Sequence, residues 1–340
     1  MEVERFGSVD GEDVLEVVLR SRAGAEVRIL TWGAVIRDFV VPASSGRQRV
    51  VLGLNTIEDY VAHSPYFGAV VGRYGNRIDH SRFLLDGTAY QLEPNEKGRH
   101  HLHGGPRGFG TRIWTLVDAH AAGATLALVS DDGDMGYPGR LLATCTYTLL
   151  EPGTLRVVLE ATCDRPTPVN LTTHSYFNLD GSPDICSHHL MIAGDFITPT
   201  NAELIPTGEI RSVAETPFDF RSLRPVGASQ LLQCRTAYDV NYVLKGQDGT
   251  LSHAATLQSI KSGVSMELWT TEPGVQLYDG HALDIPVAGL GGSRFGARAG
   301  LCLEPQRFPD GPNQRHFPPC ILVPGAVSRQ VSELRFTVAA

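Results

Sequence analysis

Long apolar runs and clusters of basic residues are missing from this sequence of 340 residues, and each absence excludes a class of protein. No apolar stretch approaches membrane-spanning length, and the N-terminus lacks a basic segment followed by an apolar one. A formal net charge of −8, without a lysine or arginine cluster, offers no surface for a nucleic-acid backbone. We therefore expect a cytoplasmic protein that binds neither membranes nor nucleic acids.

Paired cysteine motifs are absent as well. The six cysteines are dispersed along the chain without a CxxC pair, so the sequence predicts neither a zinc knuckle nor a disulfide framework. We expect buried thiols at Cys145, Cys163, Cys186, Cys234, Cys302 and Cys320.

Apolar residues at helical spacing are scarce, whereas period-two alternation recurs throughout. The 36 glycines and 21 prolines indicate many turns and hence many short strands. No linker, charge block or repeat divides the chain, so we expect one all-β domain over residues 1–340, a large antiparallel sandwich with few short helices. A short helical turn is possible within 54–63. Alternation around a turn predicts β-hairpins at 143–161, 83–92 and 264–278.

The segment 169–179 (VNLTTHSYFNL) separates two kinds of side chain by alternation. Apolar residues fall on one face, and Asn170, Thr172, His174, Tyr176 and Asn178 fall on the other. A polar row on a strand of a large β protein is typical of a strand that lines a groove. His174 is then a candidate acid or base, although a structural, hydrogen-bonded histidine is the alternative.

The segment 300–310 (GLCLEPQRFPD) shows a similar separation, with Leu301 and Leu303 opposite Glu304 and Gln306. Because Pro305 cannot donate a ladder hydrogen bond, we expect Glu304 at a strand end or edge. A carboxylate flanked by apolar residues is a candidate for a raised pKa and general-base work. A solvated glutamate at a sheet edge is the alternative.

Three histidines within four residues, His100, His101 and His103, raise the question of a metal. A His-x-His pair on a strand can chelate an ion, but such sites normally add a nearby Glu and a distant His. The GGPRGFG that follows contains no carboxylate, so we expect no metal.

The glycine-rich segment 72–78 (GRYGNRI) carries Asn76 and Arg77. Its spacing fits neither GxGxxG nor GxxxxGK[ST], which disfavours a phosphate loop. These side chains more plausibly hydrogen-bond neutral hydroxyls. Two further polar pairs on strand-like segments suit a polyhydroxylated ligand: Asp239 with Asn241, and Gln276 with Tyr278.

Taken together, these segments resemble the aldose 1-epimerase (galactose mutarotase) family, and the match runs in order across nearly the whole chain. The matching motifs are GRYGNRI at 72–78, LHGGPRGFGTRIW at 102–114, DGDMGYPG at 132–139, NLTTHSYFNL at 170–179, ITPTNAELIPTGE at 197–209, TTEPGVQLYDG at 270–280 and LEPQRFPDGPN at 303–313.

The resemblance implies a β-supersandwich that interconverts the α and β anomers of free hexoses, such as galactose or glucose, with no metal or organic cofactor. Carried over by motif, Glu304 is the general base and His174 the general acid, and His103 assists at the ring oxygen or a nearby hydroxyl. The residues implied to hold the sugar hydroxyls are Asn76, Arg77, Asp239 and Gln276. A monomer or a homodimer is expected.

The chain departs from the family pattern at two places. Asp239-Val240-Asn241 stands where the family usually has DHN, and residues 324–328 (PGAVS) stand where it has PGE-x-Y. Both changes affect the substrate assignment more than the acid/base pair. Three alternatives therefore stay open: a relative recruited to isomerise, cyclise or epimerise another small molecule, a glycosidase using Asp239 and Glu304, and a non-catalytic sugar-binding protein.

Overall fold

A computed structural model describes residues 2–44, 46–227 and 236–338. Within them the chain forms one α-helix, α1 (Ile57–His63), and 28 strands. The first fourteen strands are β1 (Glu2–Val9), β2 (Glu12–Arg20), β3 (Glu26–Leu30), β4 (Ile36–Ala43), β5 (Gly46–Arg49), β6 (Val70–Val71), β7 (Arg77–Ile78), β8 (Arg82–Leu85), β9 (Thr88–Gln91), β10 (His101–Leu102), β11 (Thr115–His120), β12 (Gly123–Ser130), β13 (Leu141–Leu150) and β14 (Thr154–Cys163). The remainder are β15 (Thr167–Pro168), β16 (Thr172–Thr173), β17 (Tyr176–Phe177), β18 (His189–Ile192), β19 (Gly194–Thr198), β20 (Arg211–Ser212), β21 (Arg224–Pro225), β22 (Asp239–Leu244), β23 (Ser252–Gln258), β24 (Val264–Thr270), β25 (Gly274–Tyr278), β26 (Leu301–Gln306), β27 (Ile321–Leu322) and β28 (Ser328–Val338).

Three sheets dominate the fold, and the strands of each pair antiparallel. The largest has nine strands in the order β11-β12-β13-β14-β28-β24-β23-β18-β21. A second has six, in the order β17-β26-β25-β22-β19-β20, and a third runs β1-β2-β3-β4-β5. The all-β, antiparallel fold class expected from the sequence is confirmed.

One apolar core joins all three sheets, because one face of each points inward. On β14, Leu155, Val157 and Leu159 are buried while the residues between them are partly exposed. The same core includes Val17 of β2 and Leu303 of β26. Each fully buried side chain of this size contributes about 1.5–3 kcal/mol, so the alternating pattern is the main source of the sandwich's stability.

Two of the three predicted hairpins are confirmed. Strands β13 and β14 pair from Leu141↔Cys163 to Leu150↔Thr154, and β8 pairs with β9. The hairpin predicted at 264–278 is wrong, because β24 belongs to the nine-stranded sheet and β25 to the six-stranded one. The intervening turn carries the chain between sheets: Thr271 N–H bonds to Val331 C=O, and Leu244 N–H bonds to Pro273 C=O.

Helix α1 falls within the predicted segment 54–63 and is capped by Thr56, whose side chain accepts the Asp59 N–H. No helix in the described ranges is long and apolar enough to span a membrane. Among the cysteines, Cys145, Cys302 and Cys320 are buried, and Cys163 and Cys186 are half-buried. Cys234 lies outside the described residues.

One face of the six-stranded sheet is polar and carries the candidate site. Cross-strand pairing places Asn241, Gln276 and Glu304 in one row, and Asp239 and Tyr278 in the next. Residues of the opposite parity, among them Val240, Leu277 and Leu303, enter the core. Strand β26 is buried along its whole length, so its polar face is also shielded from solvent.

Candidate active site

His174 and Glu304 face each other in the interior of the protein, with 3.7 Å between Nε2 and Oε1. Their side chains are only 6% and 2% exposed. His174 lies between β16 and β17, where its N–H bonds to Ala69 C=O and its C=O accepts the Gly68 N–H. The continuous strand expected at 169–179 is thus interrupted at His174–Ser175.

The prediction that Glu304 lies at a strand end or edge is confirmed only locally: β26 is an inner strand of its sheet, but among the described residues no strand pairs with it at Glu304 on the side opposite β25. Glu304 is the fourth of six residues in β26, which runs between β17 and β25. Pro305 is tolerated in this inner strand because β17 pairs with β26 only at Leu301 and Cys302.

The Glu304 carboxylate is incompletely satisfied. Its Oε2 is fully buried and has no hydrogen-bond partner among the described residues. An orphaned buried oxygen is costly, so its presence beside His174 points to a ligand that donates to it. Burial first, and the Asp239 carboxylate second, raise the pKa of Glu304 well above its ordinary value, while Arg77 opposes the shift.

Burial acts in the opposite direction on the imidazole, because it penalises the charged form. It lowers the pKa of His174 to about 4, opposed only by the residue's own backbone carbonyl. The two shifts run in opposite directions and favour a protonated Glu304 carboxyl group beside a neutral His174 imidazole. The Cys302 sulfur lies 3.5 Å from His174 Nδ1, on the side away from the carboxylate.

His103 is held by an exchange of hydrogen bonds with Asn76. The Asn76 N–H donates to His103 Nδ1 at 3.1 Å, and the His103 N–H donates to Asn76 C=O at 3.0 Å. Both residues have positive φ, 52° and 62°. The neighbouring Gly104 has a φ of 89°, and a Cβ there would overlap the Gly72 carbonyl oxygen, so this turn requires glycine.

The bond from Asn76 fixes the His103 tautomer. Since Nδ1 accepts, neutral His103 carries its proton on Nε2 and is a hydrogen-bond donor there. Burial first, and then the charges of His174 and Arg77, lower the pKa of His103 well below its ordinary value, so it stays neutral. The His103 and His174 rings meet edge to face with centroids 5.2 Å apart.

Arg77, Asp239 and Gln276 form a second cluster beside the pair. Glu96 binds Arg77 through both carboxylate oxygens, at 2.7 and 2.8 Å, which leaves Arg77 Nη1 4.0 Å from Asp239 Oδ2. The Gln276 amide donates to Asp239 Oδ1 at 2.6 Å. Burial raises the pKa of Asp239, and Arg77 and Gln276 oppose that shift.

His103, His174 and Glu304 also satisfy the distance requirement of a metal site, since one ligand atom of each lies within 4.8 Å of the others. The chemistry of the donors fits less well. If His103 Nε2 bound a metal, its proton would move to Nδ1 and point at the Asn76 N–H. The tautomer that the Asn76 N–H imposes favours a sugar hydroxyl over a cation.

The structure brings together all seven residues singled out from the sequence: His174, Glu304, His103, Asn76, Arg77, Asp239 and Gln276. Sequence reasoning missed Tyr66, whose ring lies 4.8 Å from that of His103 and 5.8 Å from that of His174. Tyr66 has a φ of 65° in a loop, where no periodicity marks it. It also missed the contact of Cys302, although extending the alternation of Glu304 and Gln306 by one step would have found it.

Comparisons with known proteins agree with this geometry. A model of the aldose 1-epimerase family matches residues 16–335. Galactose mutarotase of Bos taurus is 43% identical over 318 residues, covering 92% of this chain and 91% of that protein. Aldose 1-epimerase of Escherichia coli K12 is 36% identical over 335 residues, covering 96% of each. An aldose epimerase homologue from C. elegans superposes with a TM-score of 0.89 at 32% identity, covering 96% of this chain and 99% of that one. This chain belongs to the aldose 1-epimerase family.

Proposed function

We propose that this protein is a mutarotase that interconverts the α and β anomers of free hexoses, with D-galactose and D-glucose as the first candidates. The observation that carries the proposal is the buried pair of His174 and Glu304, 3.7 Å apart, with a carboxylate oxygen that lacks a partner among the described residues. Relatives named galactose mutarotase and aldose 1-epimerase support the same activity.

The reaction needs a base and an acid acting on different oxygens of the sugar. Glu304 removes the proton from the hydroxyl on C1 while His174 protonates the ring oxygen, and the bond between C1 and the ring oxygen breaks. Rotation about the C1–C2 bond then presents the other face of the carbonyl. On closure His174 takes its proton back and Glu304 returns one to the new hydroxyl, so protons balance.

One proton shared by the pair suffices for this cycle. In the free site the opposed pKa shifts of the two residues favour its position on Glu304. Sugar hydroxyls that donate to Glu304 Oε2 stabilise the carboxylate and lower the pKa of Glu304. Substrate binding thereby moves the proton to His174, which leaves Glu304 ready to act as the base and His174 as the acid.

The other five residues hold the ring. His103 donates from Nε2 to the ring oxygen or a nearby hydroxyl, and the Asn76 amide, Arg77 Nη1, Asp239 and Gln276 bind further hydroxyls. The proton transfers call for no metal or redox cofactor.

The decisive experiment follows freshly dissolved α-D-glucose and α-D-galactose to anomeric equilibrium by polarimetry or proton NMR. Acceleration by the wild type and not by Glu304→Gln supports both the activity and the base. Saturable sugar binding without acceleration supports a non-catalytic sugar-binding protein, and release of an aglycone from a glycoside supports a glycosidase. Inactivity toward both sugars favours a relative recruited to another small molecule.

A further inference from the structure

An aspartate and a histidine just beyond β25 form a dyad that the mechanism above does not use. Asp279, 1% exposed, lies 2.7 Å from His281 Nδ1 through Oδ1. Its Oδ2 accepts from Arg298 Nε at 3.1 Å. Gly280, with a φ of 65°, makes the tight turn that brings the two dyad residues together. A buried carboxylate bound at both oxygens fixes the orientation of the imidazole.

The dyad leaves one nitrogen of His281 available. Because Nδ1 donates to Asp279, Nε2 is the atom that can serve a ligand, and it has no hydrogen-bond partner in residues 2–44, 46–227 and 236–338. The side chain is 31% exposed, so a molecule arriving from solvent can reach it. A role in anchoring the loop accounts for the hydrogen bond from His281 Nδ1 to Asp279, but it gives Nε2 no function.

The contacts of His281 place it beside the candidate active site. Its ring packs edge to face on Tyr278, with centroids 5.3 Å apart. Tyr278 pairs across the sheet with Asp239 on one side and with Cys302 on the other. A charge on His281 lowers the pKa of Asp239, so the two side chains are within electrostatic reach. His281 therefore lies at the end of the polar face that carries Asp239 and Tyr278, beyond the row that contains Glu304.

We propose that His281, held by Asp279 and Arg298, is a further sugar-binding residue whose Nε2 hydrogen-bonds a hydroxyl away from the reacting carbon. The inference rests on the proposed mutarotase function. Since His281 lies beyond the row that holds Glu304, it contributes to substrate binding and leaves proton transfer unchanged.

Two substitutions test the roles of the two ring nitrogens of His281 separately. The amide of His281→Asn reaches the place of Nδ1, which keeps the bond to Asp279 and deletes Nε2. His281→Gln reaches the place of Nε2 instead. His120→Asn, at the exposed end of β11, is the control.

We expect His281→Asn to raise KM roughly five- to tenfold, the worth of one hydrogen bond to a neutral hydroxyl, with kcat within about twofold of the wild type. His281→Gln recovers part of the loss, and His120→Asn changes neither constant. Monodeoxy sugars identify the hydroxyl: for one of them the wild type and His281→Asn have the same KM. A wild-type KM for His281→Asn on every sugar, or a fall in kcat alone, overturns the proposal.

Failure of the proposed function is separable from failure of this inference. If the wild type does not accelerate mutarotation, calorimetric titration of wild type and His281→Asn with D-galactose and D-glucose tests the residue directly. Weaker binding by His281→Asn then still supports the assignment, whereas equal binding, or none by either protein, contradicts it.

Discussion

His103 accepts the backbone N–H of Asn76 at Nδ1, 3.1 Å away, although both residues adopt left-handed backbone conformations. A backbone amide cannot reverse its role, so the neutral ring has one tautomer, with its proton on Nε2. His103, which belongs to the cluster with His174 and Glu304, is therefore a hydrogen-bond donor at Nε2. The same bond bears on whether the cluster holds a metal.

We expect chelation to leave the activity unchanged, since a metal on His103 Nε2 would place a proton on Nδ1 against the Asn76 N–H. The measurement is the mutarotation rate before and after dialysis against EDTA. A loss that added Zn²⁺ or Mn²⁺ restores would show that the cluster of His103, His174 and Glu304 binds a required cation.

Removing either member of the acid/base pair should lower kcat by about 10²- to 10⁴-fold, the usual contribution of a positioned proton-transfer group. The variants are Glu304→Gln and His174→Asn, chosen to keep a polar side chain of similar size. Polarimetry gives the rate, and calorimetric titration with D-galactose checks that sugar still binds. Variants that retain wild-type rates would refute the assignment of the pair.

Glu304→Gln should stabilise the fold at neutral pH. The folded-state pKa of Glu304 is raised, so between the unfolded pKa near 4.5 and the higher folded pKa the folded state retains a proton that the unfolded state has lost. Stability of the wild type therefore falls as the pH rises through that window, by ~1.4 kcal/mol for each unit of pKa difference.

The check is the free energy of unfolding by urea at pH 4.5 and pH 8. The gain of Glu304→Gln over wild type should be present at pH 8 and small at pH 4.5, while the exposed control Glu12→Gln shows no such change. A variant that is less stable than wild type at pH 8 would contradict the raised pKa.

Two substitutions near the pair should move the pH profile in opposite directions. The active pair holds one proton, so kcat/KM falls on the alkaline side where Glu304 loses it and on the acid side where His174, with a pKa of about 4, gains a second. Asp239 raises the pKa of Glu304 and Arg77 lowers it. Asp239→Asn should shift the alkaline limb to lower pH, and Arg77→Gln should shift it to higher pH.

Both variants also lose a contact to the sugar, so their maximal kcat/KM should fall. The position of the limb is independent of that loss and is the quantity to compare. Shifts of the same sign in both variants would mean that the limb belongs to another group.

Glu96→Gln tests how Arg77 is positioned. Glu96 binds Arg77 through both oxygens and pairs with the side of the guanidinium away from Asp239. Loss of that charge should loosen the guanidinium and raise KM several-fold with little change in kcat. Glu203→Gln, which removes an exposed partner of Arg99, is a matched control and should leave both constants unchanged.

Alternation predicted much of this fold because burying one face of a sheet demands it. On β26 it separated Leu301 and Leu303 from Glu304 and Gln306, as the structure has them. The same signal misassigned 264–278, since a strand buried on one face alternates in the same way whether its neighbour in sequence lies in its own sheet or the opposing one.

Contacts made by loops left no such signal. The bond between Asn76 and His103 depends on two left-handed residues, and Tyr66 reaches both histidines from a loop. The absence of a partner for Glu304 Oε2 among the described residues is also invisible in a sequence, because it depends on how distant segments pack around that oxygen.

The backbone sets the spacing between the side chains in the row formed by Asn241, Gln276 and Glu304. Neighbouring strands lie about 4.8 Å apart, a spacing that ladder hydrogen bonds hold and side-chain exchange cannot alter. New sugar preferences should therefore arise when a side chain in this row changes length, as Asn241→Gln or Gln276→Asn would, while the spacing between the strands stays the same.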